Sequence, residues 1–378
     1  MQLAFCLYKY FPFGGLQRDF LRIAKECTHR GHTVDVYTME WDGEKNSGLN
    51  IHVLPVSGWQ NHKRACNFVK EFSKAITQKK YDLVVGFNKM PGLDVYFAAD
   101  TCYQAKARKK HGIFYRLTPR YRHLVHYENA VFTKNAKTKI LLISPFQKNE
   151  FIHFYQTPEQ RFYFLPPGIA RDRLAPDNAA EIRAETRREF GIHENDFLLL
   201  MVGSGFKTKG LDRVIAGFAA LPDELKKRSK LFIIGKDHAE LYEKQAAQLG
   251  ITEYIRFLGG RYDVPRLFLA GDLLLHPAYS ENTGTVLLEA VASGLPVLTT
   301  DNCGYAHYIE EANAGMVLPS PFQQKQFNQT IQNMLLSPER STWHLNGITF
   351  AKQADIYNLA EHAVDIIEAI PCAAIKCS

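Results

Sequence analysis

The apolar positions of this chain change period repeatedly. Short, nearly continuous apolar runs fall at residues 3–8, 34–38, 51–55, 83–87, 95–98, 139–144 and 161–165. Between them lie stretches with helical spacing, at residues 16–30, 67–78 and 145–155. Runs of this length, with apolar residues on both faces, predict strands buried in a parallel sheet, and their alternation with helices predicts an α/β fold. Gly14-Gly15 marks the turn into the first helix and Gly31 closes it.

The pattern then pauses. Leu165-Pro166-Pro167-Gly168 and the polar stretch as far as Asn178 read as a linker. It restarts with strands at 197–202, 230–234, 254–258 and 272–276, a loop at 203–210, and helices at 211–221, 264–270, 324–336 and 359–369. We expect two Rossmann-like halves, residues 1–165 and 166–350, with a helical segment at 351–378 packing back on the first half. Ligands of such sheets bind at the carboxyl ends of the strands. Gly14, Gly15 and Asp100 fall there in the first half, and Gly203, Gly235, Gly259-Gly260 and Glu281 in the second. Two such edges facing each other predict one interdomain cleft.

Composition narrows the class. A chain of 378 residues with 46% hydrophobic content can fill two ordinary cores. No apolar run approaches the ~18–20 residues of a membrane span, and the first ten residues read as a strand, not a leader. The seven cysteines are scattered without a CxxC pair, which fits reduced thiols in the cytoplasm. The fourteen histidines show no HxxxH or HxH spacing, and there is no Asp-x-Asp to hold a metal against a diphosphate. No metal and no cofactor is expected. The absence of Gly-x-Ser-x-Gly also argues against a serine hydrolase.

The candidate chemistry centres on Glu281 and Glu289. Glu281 lies in the loop after the strand at 272–276, and Glu289 in the early part of the following helix. Between them is a helix N-terminus, whose free N–H groups and dipole attract a diphosphate. One carboxylate could hold hydroxyls on one side of that diphosphate and the other carboxylate those on the far side. Sugar, diphosphate and ribose have that layout.

Other candidates are less specific. Gly14-Gly15 resembles part of a phosphate-binding turn or a plain tight turn, and lacks the third glycine of a dinucleotide fingerprint. Asp19 either points back towards the cleft or is a first-turn surface acid. Lys207 and Lys209, on the glycine-bearing loop 203–210, suit a diphosphate, although the loop is not a Walker A motif. Arg173 is a third cation near the linker. Asp100 either fixes an acceptor hydroxyl or caps a helix.

Net charge is +7, and the excess is concentrated. Between Tyr103 and His126 stand Lys106, Arg108, Lys109, Lys110, Arg116, Arg120 and Arg122 with no acid, interleaved with Tyr103, Phe114, Tyr115 and Tyr121. A solvated face, a nucleic-acid surface and an anionic membrane surface all share this composition. No nucleic-acid-binding motif accompanies it, and we expect membrane contact.

The unit from Glu281 to Glu289, the Lys209-Gly210 loop and the Pro-Gly linker together resemble retaining glycosyltransferases of the GT-B fold, family 4. Residues 4–19, 86–100, 115–122, 274–279 and 303–309 extend the likeness over nearly the whole chain, towards the lipopolysaccharide core glucosyltransferases of that family. The resemblance implies that Glu281 holds the donor sugar hydroxyls. Thr283, Gly284, Thr285 and Val286 would offer N–H groups to the diphosphate, and Glu289 would grip the ribose. Gly15, Arg173 and Lys209 would neutralise phosphate, with Arg261 near uracil. Asp19 and Asp100 would lie near the sugar and acceptor. It further implies a metal-independent, retaining transfer of glucose from UDP-glucose to an inner-core heptose, at the inner face of the bacterial inner membrane. The chain differs from the family pattern at Lys207-Thr208 and Asn282-Thr283, beside the donor. Another UDP-hexose donor, or a non-catalytic membrane- or polyanion-binding protein on this fold, is the alternative.

Overall fold

The computed structural model describes residues 1–12, 14–44, 48–110 and 112–375. It divides into two units. The first comprises Met1–Gly168 and Asn358–Ser378, the second Ile169–Tyr357. The crossing back falls at Asn358, so residues 351–357 stay with the second unit and the returning helix is Leu359–Ile375.

The first unit is built on a seven-stranded parallel sheet. Its order is Asn50–Val53, Thr33–Thr38, Gln2–Cys6, Leu83–Gly86, Val95–Ala98, Lys139–Leu142, Phe162–Phe164. Alternate residues of a strand serve opposite layers. Leu3 and Phe5 pack with Phe20, Ile23 and Cys27 of helix Gly15–His29 and with Leu359, Val364 and Ile367 of the returning helix. Ala4 and Cys6 face Phe68, Phe72 and Phe132 on the other side. Each such phenylalanine contributes about 1.5–3 kcal/mol on burial. The returning helix is pinned at its surface by Arg30, which meets Asp365 at 2.6 Å and Glu368 at 3.0 Å.

The second unit has a six-stranded parallel sheet, in the order Ile255–Gly259, Ser229–Ile234, Phe197–Val202, Leu273–His276, Val297–Thr300, Gly315–Leu318. Strand order reverses between Phe197–Val202 and Leu273–His276. The loops leaving their carboxyl ends therefore diverge and open a crevice there.

Several elements differ from the expectation. The helix expected at 67–78 is Asn61–Ile76; its first turn is polar and carries no apolar period. The loop at 203–210 contains a helical turn, Phe206–Lys209, held between Gly205 and Gly210, both left-handed. Helix Ala179–Phe190 begins directly after the predicted linker ends at Asn178. Helix Arg340–Gln353 buries Trp343, Gly347 and Ala351, a stripe whose glycine and alanine hide it from a hydrophobicity pattern. The basic segment is ordered as helix Tyr103–Lys110, a 3-10 turn Ile113–Leu117 and helix Pro119–Phe132. Among the described residues no helix is long and apolar enough to cross a membrane.

Candidate active site

Lys209 and Glu281 meet at the crevice of the second sheet. Lys209 closes the helical turn after strand Phe197–Val202, and Glu281 follows strand Leu273–His276. Lys209 Nζ lies 2.6 Å from Glu281 Oε2. The two loops are knitted by main-chain contacts. Tyr279 N donates to Thr208 O at 2.8 Å, and Arg213 donates to Pro277 O at 3.0 Å. Arg213 also stacks between Tyr279 and Phe322, 3.5 and 3.9 Å from their ring centres.

A second loop fixes Glu281 from behind. Glu281 N donates to Asn302 O at 3.0 Å, Gly304 N to Glu281 O at 3.1 Å, and Tyr305 N to Thr283 O at 2.7 Å. This leads the chain into helix Thr285–Ala292 through Gly284, with φ +83°. A β-carbon at Gly284 would stand 2.2 Å from Cys303 Sγ, so only glycine passes there without displacement. No side chain caps this helix, which leaves the N-terminal N–H groups of its first turn for a ligand.

Glu289, a turn further along, has its carboxylate 3.9 Å from Arg173 Nε. Arg173 ends a 3-10 turn, Arg171–Arg173, and its carbonyl accepts from Ser293 Oγ at 3.1 Å. An uncapped helix N-terminus thus lies on the chain between two carboxylates, each with a cation beside it: Glu281 with Lys209, Glu289 with Arg173.

The electrostatics of Glu281 are shaped by two opposed effects. Burial pushes its carboxyl up, but the neighbouring groups, with Lys209 in salt-bridge contact, outweigh this and hold it down at about 2. The groups that lower it are His276, whose Nε2 stands 3.8 Å from the same oxygen, and Lys209. Burial pushes His276 below the ordinary imidazole value. It pushes the Cys303 thiol, also beside the Glu281 charge, up to about 12.

Other predicted residues are placed differently. Lys207 is exposed on the outer side of its helical turn. Arg261 does not stand free: its guanidinium is held in a two-point bond to Asp263, 2.7 Å on each side. In the first unit, Gly14 precedes helix Gly15–His29, and Asp19 lies in its second turn, 3.8 Å from Arg18 Nε. Asp100 is exposed after strand Val95–Ala98 and lines a cavity of about 230 Å³ with Tyr8, Asn88, Lys89, Tyr103 and Lys106. The capping role considered for Asp100 belongs to Glu128. That carboxylate is fully buried and accepts from Tyr103 N at 2.8 Å and Gln104 N at 3.0 Å, with Lys89 Nζ at 2.5 Å. Glu128 carried no recognisable signal beyond being a polar residue next to apolar ones; Lys89 and His276 fall in blocks 86–100 and 274–279 of the family likeness, but nothing there marks either as a site residue.

Lys106, Arg108, Lys109, Arg116, Arg120 and Arg122 are all exposed; the side chain of Lys110 lies outside the described residues. Beside them Ile113, Phe114 and Leu117 are 74%, 84% and 63% exposed. The cysteines at 6, 27, 66, 102 and 303 are free thiols; the side chain of Cys372, and Cys377, lie outside the described residues. Among the described residues no group of three or more His, Cys, Asp or Glu is placed to hold a metal ion.

One seven-stranded and one six-stranded parallel sheet in separate units, with a charged helix-N-terminus site at the switch point of the second, are the build of a GT-B glycosyltransferase, and comparison with known proteins places the chain in that class. Residues 13–173 match the model of Glycosyltransferase Family 4 and residues 182–347 that of Glycosyl transferases group 1. The lipopolysaccharide glucosyltransferase WaaG of Escherichia coli (strain K12) is 47% identical over 97% of this chain and 98% of its own length. The crystal structure of WaaG, a glycosyltransferase involved in lipopolysaccharide biosynthesis, superposes with TM-score 0.91 over 97% of this chain and 99% of that one. The chain belongs to this family. Anabaena Alr3699/HepE in complex with UDP-glucose, 18% identical, shares the fold with TM-score 0.75 over 98% of this chain and 100% of that one.

Proposed function

We propose that this enzyme transfers glucose from UDP-glucose to a heptose of the lipopolysaccharide inner core, with retention of anomeric configuration and without a metal. The observation that carries the reading is the contact of Lys209 with Glu281 beside the uncapped N-terminus of helix Thr285–Ala292. WaaG, at 47% identity, supports the donor and acceptor classes.

In this reading the amides of Thr283, Gly284, Thr285 and Val286 hold the diphosphate, Glu289 the ribose, and Glu281 the sugar hydroxyls. The bond between the anomeric carbon and the phosphate oxygen breaks, and its electron pair stays on the diphosphate. Lys209, Arg173 and the helix N-terminus stabilise that growing charge in place. The acceptor hydroxyl attacks the same face of the sugar and gives its proton to the departing phosphate oxygen. Glu281, held ionised, stabilises positive character near the anomeric carbon. Gly15 of the first unit is read as a phosphate contact, Arg261 as the anchor of the loop next to uracil, and Asp19 and Asp100 as sugar- and acceptor-side groups.

Peripheral attachment to the inner face of the inner membrane is part of the proposal. Three exposed apolar side chains among six exposed cations support it, since each cation near an anionic leaflet contributes about 1 kcal/mol and the apolar groups enter the headgroup layer. The test is to mix the protein with UDP-glucose and heptose-terminated core lipopolysaccharide in a chelator and weigh the product. A gain of one hexose with the configuration kept supports the reading. A gain only with another UDP-sugar moves the donor, and no gain with any UDP-sugar overturns it.

A further inference from the structure

His276 ends strand Leu273–His276 and is fully buried. Neither of its ring nitrogens has a hydrogen-bond partner. Buried polar atoms are nearly always paired, so two orphaned nitrogens on one ring call for a reason. The main chain at His276 is held in place. The His276 carbonyl accepts from Thr299 Oγ1 at 2.9 Å and from Ala278 N at 2.9 Å, and Pro277 keeps the preceding residue extended. The buried ring lies with Nε2 3.8 Å from Glu281 Oε2, the same oxygen that Lys209 Nζ engages at 2.6 Å.

We propose that His276 is a positioning residue for Glu281, taking over its Oε2 by a hydrogen bond from Nε2 when a diphosphate draws Lys209 away. The inference rests on the donor-site reading given above. A diphosphate beside Lys209 competes with Glu281 for the ammonium, and a doubly charged group outcompetes a single carboxylate. Glu281 then remains half-buried without its cation, which disfavours the ionised form unless another donor arrives. His276 is already aimed at the vacated oxygen, about 1 Å beyond hydrogen-bonding length. Its burial and the Lys209 charge both favour the neutral ring, so it donates from Nε2 without cancelling the carboxylate. A lysine at this place would instead neutralise the negative charge that the reading requires near the anomeric carbon.

The test is a cycle of four proteins: wild type, His276→Leu, Glu281→Gln and the double variant. His276→Gln is added, because its amide nitrogen reaches the Nε2 position, and His276→Asn, whose amide does not. The donor KM, kcat and UDP affinity are measured for each, with thermal melts as the folding control. The expected result is a roughly 10- to 100-fold loss of kcat in His276→Leu, the worth of a hydrogen bond to a charged group, with donor KM within about threefold. His276→Gln should recover most of that loss. In the Glu281→Gln background the leucine substitution should cost no more than about threefold, because its effect runs through the carboxylate. Should His276→Leu fail to fold, His276→Asn takes its place in the cycle. An unchanged kcat, an equal loss in both Glu281 backgrounds, or a His276→Gln as poor as the leucine variant would each overturn the proposal. A Glu281→Gln protein with wild-type turnover would instead defeat the donor-site reading itself, and is seen before the cycle is completed.

Discussion

Lys209 and Glu281 come from loops seventy-two residues apart and meet at 2.6 Å, at the crevice where the second sheet reverses its strand order. Each neutralises the other. The pairing, with His276 beside it, helps a half-buried carboxylate stay ionised, its carboxyl held at about 2.

A sign reversal with pH follows. In the wild type the folded value of Glu281 is depressed below the ordinary ~4.3. Its contribution to stability is therefore complete above that value and is lost as pH falls from about 4.3 towards 2. In Lys209→Met the ammonium is gone and burial is opposed only by the neutral His276 ring, so the folded value rises above that of the wild type. Acidifying from pH 7 to 5 should then stabilise that variant relative to wild type. Urea melts at the two pH values check this; a constant stability gap would show that Lys209 does not set the ionisation of Glu281.

Gly284→Ala should destabilise the second unit by roughly 1–3 kcal/mol, from the left-handed φ of +83° and the close approach of Cys303 Sγ together. Gly284→Ala combined with Cys303→Ala should recover the steric share and leave the backbone share of about 1 kcal/mol. Thermal melts of both proteins separate the two; equal melting temperatures would refute the steric contribution.

Glu128→Leu removes the acceptor of two helix amides and takes the carboxylate from Lys89, whose side chain is 10% exposed and keeps the Thr101 carbonyl at 2.7 Å. Loss of one partner of a buried pair costs about 3–5 kcal/mol. Part of this should appear as local opening. Amide hydrogen exchange over Tyr103–Lys110 should accelerate more than exchange over the central strand Gln2–Cys6. Uniform acceleration would mean that Glu128 supports the unit as a whole and not this helix.

Much of the sheet architecture was legible because parallel strands buried on both faces leave continuous apolar runs, as at Phe197–Val202. The Glu281–Glu289 unit was legible for the same reason, lying between two such runs. Helix Arg340–Gln353 was not, since its buried stripe is Trp, Gly and Ala. Nor could the sequence say that Glu128, not Asp100, caps helix Tyr103–Lys110, because the cap comes from another helix, far along the chain. Lys207 and Lys209 looked alike in sequence. Only the helical turn between two left-handed glycines separates them, sending Lys209 to Glu281 and Lys207 to solvent.

The basic segment gives a prediction for membranes. Binding to vesicles with anionic lipid should weaken with salt, and also when Lys106, Arg108, Lys109 and Lys110 are neutralised together. Replacing Ile113, Phe114 and Leu117 with serine should reduce the binding that survives at high salt, since that share comes from apolar insertion. Co-sedimentation measures both. Equal binding to neutral vesicles would contradict the electrostatic part.

The central claim, that Glu281 acts on the transferred sugar while the diphosphate is held by its neighbours, is tested most directly by Glu281→Gln. Turnover and UDP affinity are measured on the same preparation. The account predicts a fall in kcat of about 100-fold or more, with the UDP dissociation constant within about threefold of wild type. Wild-type turnover, or a loss of UDP binding as large as the loss of turnover, would contradict it.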